Sequence, residues 1–187
     1  DVLTREAELI DDLELKIENL LRAADVREVR LNDVQGAIEA YRDAYELDSN
    51  CVDALYALEL LYRQKQAWGE LREVYEALLV ARQEATEQLK TYSKLAQLQR
   101  DQLGELDGAT DSYRRMCQID PTYQPAISAL DAIYREEERW DELKALYNAY
   151  LSRLDDPALQ AQVRVVLADL AAQTSQGVQS VEEAISY

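Results

Sequence analysis

Apolar residues along this chain recur at spacings of three and four positions. Leu55, Leu58 and Leu61 form one such run, and Leu71 and Leu78 belong to the next. This spacing places the apolar side chains on one face of an α-helix, whereas a half-buried strand alternates apolar with polar residues. The pattern therefore predicts an all-α fold.

Turn-forming residues divide this helical pattern into segments. We expect helices of roughly 12 to 18 residues joined by short turns. The predicted breaks are 32–33, 48–50, 67–69, 104–107, 120–125, 155–157 and 174–177. Asp33, Asp141 and Asp156 stand where a side-chain oxygen would accept a hydrogen bond from the first turn of the following helix, so we expect them to act as N-caps.

The sequence also repeats itself at an offset of 72 positions. The segments 54–79 and 126–151 align without a gap and are identical at 11 of 26 positions. The landmarks Ala37, Leu71, Ala109 and Leu143 are separated by steps of 34, 38 and 34 positions. Each 72-residue repeat copy is therefore predicted to contain two antiparallel helix-turn-helix hairpins. The shorter and the longer step alternate along the chain.

The repeat predicts a single array over residues 1–187. We expect hairpins at about 12–49, 50–82, 84–121, 122–154 and 157–187, the last of them incomplete. The segment 1–10 aligns with the end of a second helix, so we expect it to be the tail of an upstream helix in a longer array. One amphipathic hairpin cannot bury its apolar face alone, so stacked hairpins with a continuous core, an α-solenoid, are expected.

The hairpin pattern resembles the tetratricopeptide repeat. Its first helices carry Leu58-x3-Tyr62 and the repeat copy Leu130-x3-Tyr134, and its second helices carry Ala37-x3-Tyr41. The resemblance implies a right-handed superhelix whose first helices line a concave groove. The chain departs from the family where a small residue is usual on the first helix, because Glu59 and Asp131 stand there.

Charge and composition narrow the function. The chain has 37 acidic and 20 basic residues and a net charge of −17, which disfavours nucleic acid as a partner. It contains no run of about 18 apolar residues, so we expect no membrane insertion. Histidine is absent, and Cys51 and Cys117 fall at non-equivalent repeat positions. We therefore expect no catalytic residue, no metal site and no cofactor; the two unpaired thiols favour a cytoplasmic location.

The resemblance also implies which residues face the groove. Four of them are basic, and they form two repeat-equivalent pairs, Arg22 with Lys94 and Arg63 with Arg135. Our hypothesis is that they form a ladder for the carboxylates of an acidic peptide or C-terminus. The alternative is that they neutralise neighbouring carboxylates, as in an i to i+4 pair of Glu59 with Arg63. The candidate partner-binding residues are Arg22, Tyr56, Leu60, Arg63, Lys94, Leu98 and Arg135, with Ser128 and Ala132 also placed towards the groove.

These features favour a binding scaffold over an enzyme. The expected function is that of a protein-interaction adaptor that binds a peptide or helix of a partner on the concave face, without catalysis. Two alternatives stay open at this point. One is a structural spacer array that associates with copies of itself through uncapped ends, and the other is a chaperone-like adaptor for a secreted client.

Overall fold

The structure, a computed structural model, describes the backbone of residues 2–185 and the side chains of residues 13–173. Every regular element in this range is helical. The α-helices are α1 (Val2–Asp25), α2 (Val34–Leu47), α3 (Val52–Lys65), α4 (Trp68–Ala81), α5 (Ala85–Leu98), α6 (Leu106–Ile119), α7 (Gln124–Glu136), α8 (Trp140–Leu151) and α9 (Pro157–Ile185). Two π-helical turns, Val26–Arg30 and Gln99–Leu103, extend α1 and α5.

The predicted all-α fold of helix-turn-helix pairs is confirmed. Six of the seven predicted breaks coincide with a boundary between helices of the structure. The seventh is wrong, because α9 continues through Thr174–Gly177. Glycine within a helix costs only about 1 kcal/mol relative to alanine, and threonine, serine and glutamine are all tolerated there. Similarly, α1 continues through positions 11–12, where the sequence places the start of the first hairpin.

Two of the three predicted N-caps are present. The Asp33 side chain accepts a hydrogen bond from the backbone N–H of Gly36 at 2.9 Å, at the start of α2. Asp156 accepts one from the N–H of Ala158 at 2.8 Å, at the start of α9. The prediction for Asp141 is wrong, because α8 already begins at Trp140 and Arg139 occupies its N-cap position. Asp141 instead lies in the first turn, where a negative charge interacts favourably with the helix dipole.

The chain divides into two compact units, which we call unit 1 (Asp1–Leu106) and unit 2 (Asp107–Tyr187). In unit 1, each helix from α1 to α4 packs against the next along the chain. Their contact surfaces form one core, whose fully buried large side chains include Leu55, Leu61 and Leu71. In unit 2, Ile127, Tyr150 and Val163 join α7, α8 and α9 in a core.

The turns of the two repeat copies have the same backbone conformation. Gln66 and Glu138, which are repeat equivalents, both take left-handed backbone angles, with φ of 55° and 56°. The following residues, Ala67 and Arg139, donate their N–H groups to the carbonyls of Tyr62 and Tyr134 at 2.9 and 2.7 Å. These bonds satisfy carbonyl groups that the end of a helix leaves free. Trp68 and Trp140 then begin α4 and α8.

Candidate functional site

The predicted partner-binding residues lie on four different helices. Arg22 is on α1; Tyr56, Leu60 and Arg63 are on α3; Lys94 and Leu98 are on α5; and Arg135 is on α7. The first six belong to unit 1 and Arg135 to unit 2. The structure brings Arg63 and Lys94 together. Arg22 instead pairs with Glu18 on its own helix, with 3.5 Å between Nη1 and Oε1.

Arg63 and Lys94 meet at the carboxylate of Glu59. Arg63 Nη2 donates to Glu59 Oε1 at 2.5 Å, and Lys94 Nζ donates to both carboxylate oxygens at 2.8 and 3.1 Å. The Glu59 side chain is only 6% exposed, whereas those of Arg63 and Lys94 are 49% and 45% exposed. A buried carboxylate needs such partners, since desolvation without them costs several kcal/mol. The pair with Lys94 connects α3 to α5, whereas the pair with Arg63 lies within α3.

Tyr75 on α4 completes this cluster. Its hydroxyl accepts a hydrogen bond from Arg63 Nη2 at 3.0 Å and donates one to Glu59 Oε1 at 3.3 Å. Burial raises the pKa of the Tyr75 phenol, with Glu59 raising it further and Arg63 opposing the rise. The hydrogen bond with Tyr75 in turn raises the pKa of Arg63. We call Glu59, Arg63, Tyr75 and Lys94 the Glu59 cluster; it joins α3, α4 and α5.

The Glu59 cluster retains one positive charge, because two cations share a single carboxylate. It lies beside an open cleft of about 440 Å³ between α3, α4 and α5. Trp68, Leu71 and Leu98 supply the apolar part of the lining, and Gln97 and Gln102 supply neutral polar groups. The lining also contains the carboxylate of Asp101, which is paired with Arg100. Leu98 is 6% exposed, so it belongs to the core beneath this cleft.

A second cleft lies on the other side of α3. It has a volume of about 450 Å³ and is lined from α1 by Leu21, Arg22 and Asp25 and from α3 by Asp53 and Ala57. Leu60 on α3 is 57% exposed and Tyr56 is 37% exposed. We call the surface formed by Arg22, Tyr56, Leu60, Arg63 and Lys94 the α1–α3–α5 face. It combines two clefts with exposed apolar and basic side chains.

Unit 2 contains a smaller version of the Glu59 cluster. Asp131 on α7 accepts hydrogen bonds from Arg135 Nε at 3.0 and 2.9 Å and from the Tyr147 hydroxyl at 2.9 Å. These residues are the repeat equivalents of Glu59, Arg63 and Tyr75. The equivalent of Lys94 is Val166, so the third arm is missing. The Asp131 side chain is correspondingly more exposed, at 23%.

The sequence predicted the pairing of Glu59 with Arg63 only as an alternative, and it missed the burial of Glu59. A signal was present, because an acidic residue stands at a helix position that is usually small in the family that the sequence resembles. The contact with Lys94 joins side chains that are 35 positions apart, and helical periodicity carries no information on such a contact.

Two further features of the structure concern metal binding and membrane insertion. Within residues 13–173, no group of three His, Cys, Asp or Glu side chains is arranged to hold a metal ion. None of the helices in the described part of the chain has the length and apolarity that spanning a bilayer requires.

Comparison with known proteins found similar solved structures but no matching protein family. No family model and no curated protein matches the sequence. A crystal structure of MamA is 18% identical, with a TM-score of 0.48, and covers 92% of this chain and 95% of that one. YrrB, described as a TPR protein with an unusual peptide-binding site, is 19% identical with a TM-score of 0.48, covering 90% and 83%.

A third structure is TTC0263, described as a thermophilic TPR protein in Thermus thermophilus. It is 19% identical, with a TM-score of 0.34, and the match covers 84% of this chain and 82% of that one. TPR denotes the tetratricopeptide repeat. YrrB and TTC0263 are thus described by the repeat that this sequence resembles. No residue of the α1–α3–α5 face is assigned a role from them.

Proposed function

We propose that the chain is a protein-interaction scaffold and that the α1–α3–α5 face binds a peptide or helix that carries acidic groups. The observation that carries this proposal is the Glu59 cluster, where Arg63 and Lys94 share one buried carboxylate beside an open cleft. Each cation is about half exposed, so each has donors that face solvent. Arg63 bonds only through Nη2 within the described part of the chain, which leaves Nε and Nη1 for an incoming carboxylate.

The charge of the face supports an acidic partner. The chain as a whole carries −17 and repels anions. Within the Glu59 cluster, however, one carboxylate and two cations give +1, and the Asp101 carboxylate that also lines the cleft is paired with Arg100. The cluster therefore attracts a partner carboxylate, although the chain as a whole repels it. Such a charge pattern favours binding of the partner in the correct position more than it raises the affinity for the partner.

Apolar side chains next to the cluster supply the remaining contact. Leu60 follows Glu59 in the sequence and exposes 57% of its surface, and Tyr56 lies one helical turn earlier on α3. Exposed aliphatic and aromatic side chains beside a charged group are common features of peptide-binding grooves. The proposed partner segment thus places an apolar residue near Leu60 and a carboxylate near Arg63 and Lys94.

Selection from a displayed library of random peptides on the immobilised full chain tests this proposal. We expect the selected sequences to share an acidic residue next to an apolar one. Substitution Leu60→Asp is expected to weaken binding of a selected peptide by roughly tenfold or more, because it removes apolar contact and adds a like charge. The measurement is the dissociation constant from calorimetry.

Val80→Asp is the matched control. Val80 lies on α4, outside the α1–α3–α5 face, and is 75% exposed, so its substitution changes charge and apolar surface in the same way. Equal weakening by both variants would contradict the proposal, as would a selection in which no bound peptide carries an acidic residue.

Self-association is a second candidate, favoured by a different observation. Val29 and Leu31, at the end of the π-helical turn after α1, are 72% and 66% exposed. Two neighbouring exposed aliphatic side chains suit an apolar contact with another copy of the chain. Solution mass over a concentration series tests this. A mass that rises with concentration, and that returns to the monomer value in Val29→Ser/Leu31→Ser, would support it.

A further inference from the structure

Unit 2 holds one of its own arginines on a tyrosine ring. The guanidinium carbon of Arg139 lies 4.9 Å from the centroid of the Tyr134 ring. Arg139 Nε donates to Glu142 at 3.0 Å, and its Nη1 donates to Glu137 at 3.0 Å. Arg114 also contacts Tyr134, through a hydrogen bond of 2.8 Å from Nε to the hydroxyl. An arginine stacked on an aromatic ring and bonded to carboxylates is strongly and specifically held.

Most of this arrangement is repeated in unit 1. Tyr62, Glu70 and Arg42 are the repeat equivalents of Tyr134, Glu142 and Arg114. The arginine that covers the ring is missing, because its place is taken by Ala67.

The backbone does not account for the difference between the two units. Ala67 has φ −81° and ψ 73°, and Arg139 has φ −84° and ψ 65°. Both occupy the N-cap position of the following helix. Unit 1 therefore has the ring, one of the two carboxylates and the backbone geometry of the unit 2 site, but not its guanidinium. Lys65 stands where unit 2 has Glu137.

An open cleft lies at Tyr62 in unit 1. Its volume is about 300 Å³, near the lower limit of the range in which proteins bind small groups, about 300–1,000 Å³. Leu55, Leu58, Val74 and Ala77 give it an apolar floor, and Tyr45 adds a second aromatic side chain. A side chain with a flat charged end and an apolar stem suits such a lining.

Three carboxylates of this cleft have no partner among the described residues. Glu46, Glu70 and Glu73 line it and form no hydrogen bond or ion pair within that part of the chain. Arg42 is the one cation in the lining, so three carboxylates and one guanidinium give a net charge of −2. Burial raises the pKa of Tyr62; Arg42 lowers it, and Glu70 and Glu73 raise it further. The site is thus anionic and aromatic, and it lacks a cation that its repeat copy has.

We propose that the Tyr62–Glu70 cleft binds an arginine side chain supplied by a partner protein. The guanidinium lies on the Tyr62 ring and donates to Glu70, as that of Arg139 does to the equivalent groups in unit 2. Glu73 and Glu46 provide further acceptors for the remaining N–H groups. Arginine is preferred to lysine because its planar fork of donors matches both a ring face and a carboxylate, whereas an ammonium is a compact point charge.

This site is separate from the α1–α3–α5 face. The cleft is lined by residues of α2, α3 and α4, and it shares no residue with the Glu59 cluster. The partner chemistry is also opposite, since one site takes a cation and the other an anion. Either proposal therefore stands or fails without the other.

Titration of the full chain with the peptide acetyl-Gly-Arg-Gly-amide, followed by amide NMR shifts, is the direct test. We expect the largest shifts around Tyr62 and Glu70, smaller ones with the lysine peptide, and none with the citrulline peptide, which keeps the shape of arginine without its charge. Shifts scattered over the acidic surface, or equal shifts with citrulline, would overturn the proposal.

Variants that copy one unit into the other provide a second test. Lys65→Glu/Ala67→Arg gives unit 1 the arginine and both carboxylate partners of unit 2, and we expect at least roughly tenfold weaker peptide binding because the chain fills its own cleft. Gln64→Glu/Gln66→Arg adds one acidic and one basic residue at neighbouring exposed positions and serves as the control. Arg139→Ala is expected to add a second set of shifts around Tyr134. Unchanged binding in the Ala67→Arg double variant would refute the inference.

Discussion

The Glu59 cluster of unit 1 and the Asp131 cluster of unit 2 occupy equivalent repeat positions but differ in the number of helices they join. Glu59 bonds to residues on α3, α4 and α5, whereas Asp131, among the residues whose side chains are described, bonds only to residues on α7 and α8. The difference arises from one position, Lys94 in one copy and Val166 in the other. The two repeat copies therefore keep the same hydrogen bonds within a hairpin, but only one copy has an ion pair that connects the hairpin to the next helix.

Burial follows the number of partners. With two cations and a tyrosine around it, the Glu59 side chain is 6% exposed, while Asp131, with one cation and a tyrosine, is 23% exposed. A carboxylate can lose its water only to the extent that protein donors replace it. The third donor in unit 1 thus permits a degree of burial that the unit 2 cluster does not reach.

The largest expected effect comes from neutralising the two carboxylates. Glu59→Gln keeps the side-chain shape but removes the charge that two cations share. We expect it to lower the free energy of unfolding by about 1.5–3 kcal/mol, the range for hydrogen bonds to charged groups. Asp131→Asn is expected to cost about 1 kcal/mol, because its site is more exposed. Urea unfolding of both variants measures this, and equal losses would contradict the link between burial and partner number.

The two tyrosines test the comparison through pH. Burial raises the pKa of Tyr75 and of Tyr147 above the ordinary value of 10.0, so each stays protonated in the folded chain when the unfolded chain ionises. The contribution of these two phenols to the stability of the folded chain is complete below a pH of about 10. It is lost as the pH rises through the pKa that each phenol has in the folded chain. Tyr75→Phe and Tyr147→Phe should each reduce this alkaline loss. Each variant should also lose about 1 kcal/mol at neutral pH with its hydrogen bonds.

Urea midpoints measured at about pH 8 and again above pH 10 separate these contributions. A variant whose stability falls with pH as steeply as that of the unmodified chain would show that the phenol in question does not ionise on unfolding in this range.

The smallest expected effect comes from adding the missing arm to unit 2. Val166→Lys places an ammonium at the repeat equivalent of Lys94, and we expect it to couple to Asp131 by about 0.5 kcal/mol, as partly exposed ion pairs do. A double-mutant cycle with Asp131→Asn measures this coupling. A coupling of zero would show that α9 does not bring the side chain at position 166 within reach of Asp131.

Much of the fold was predictable from the sequence, because helical periodicity and turn residues act locally. Six breaks and the caps at Asp33 and Asp156 follow from neighbours within a few positions. The two wrong predictions also concern local features of the chain. At Thr174–Gly177, residues common in turns predicted a break, although none of them forbids a helix, and at Asp141 the helix begins one residue before the expected cap.

The candidate sites were only partly predictable. The sequence identified Arg63, Lys94 and Arg135 as repeated basic residues, but it gave no reason to expect that two of them share one buried carboxylate. It also drew no attention to Arg139, because its counterpart Ala67 breaks the identity between copies. The difference between the copies, rather than their identity, points to the cleft at Tyr62.

By itself, the sequence determined the helices, their turns and the correspondence of side chains between the repeat copies, since each depends on contacts within a hairpin or on direct comparison of residues. Only the tertiary structure decided that Lys94 reaches Glu59 from 35 positions away, that the 8%-exposed Tyr62 lines an open cleft, and that Arg139 lies over Tyr134. The physical reason is that charge pairing and burial depend on which helices lie side by side, and helix packing, not the local pattern, sets those distances.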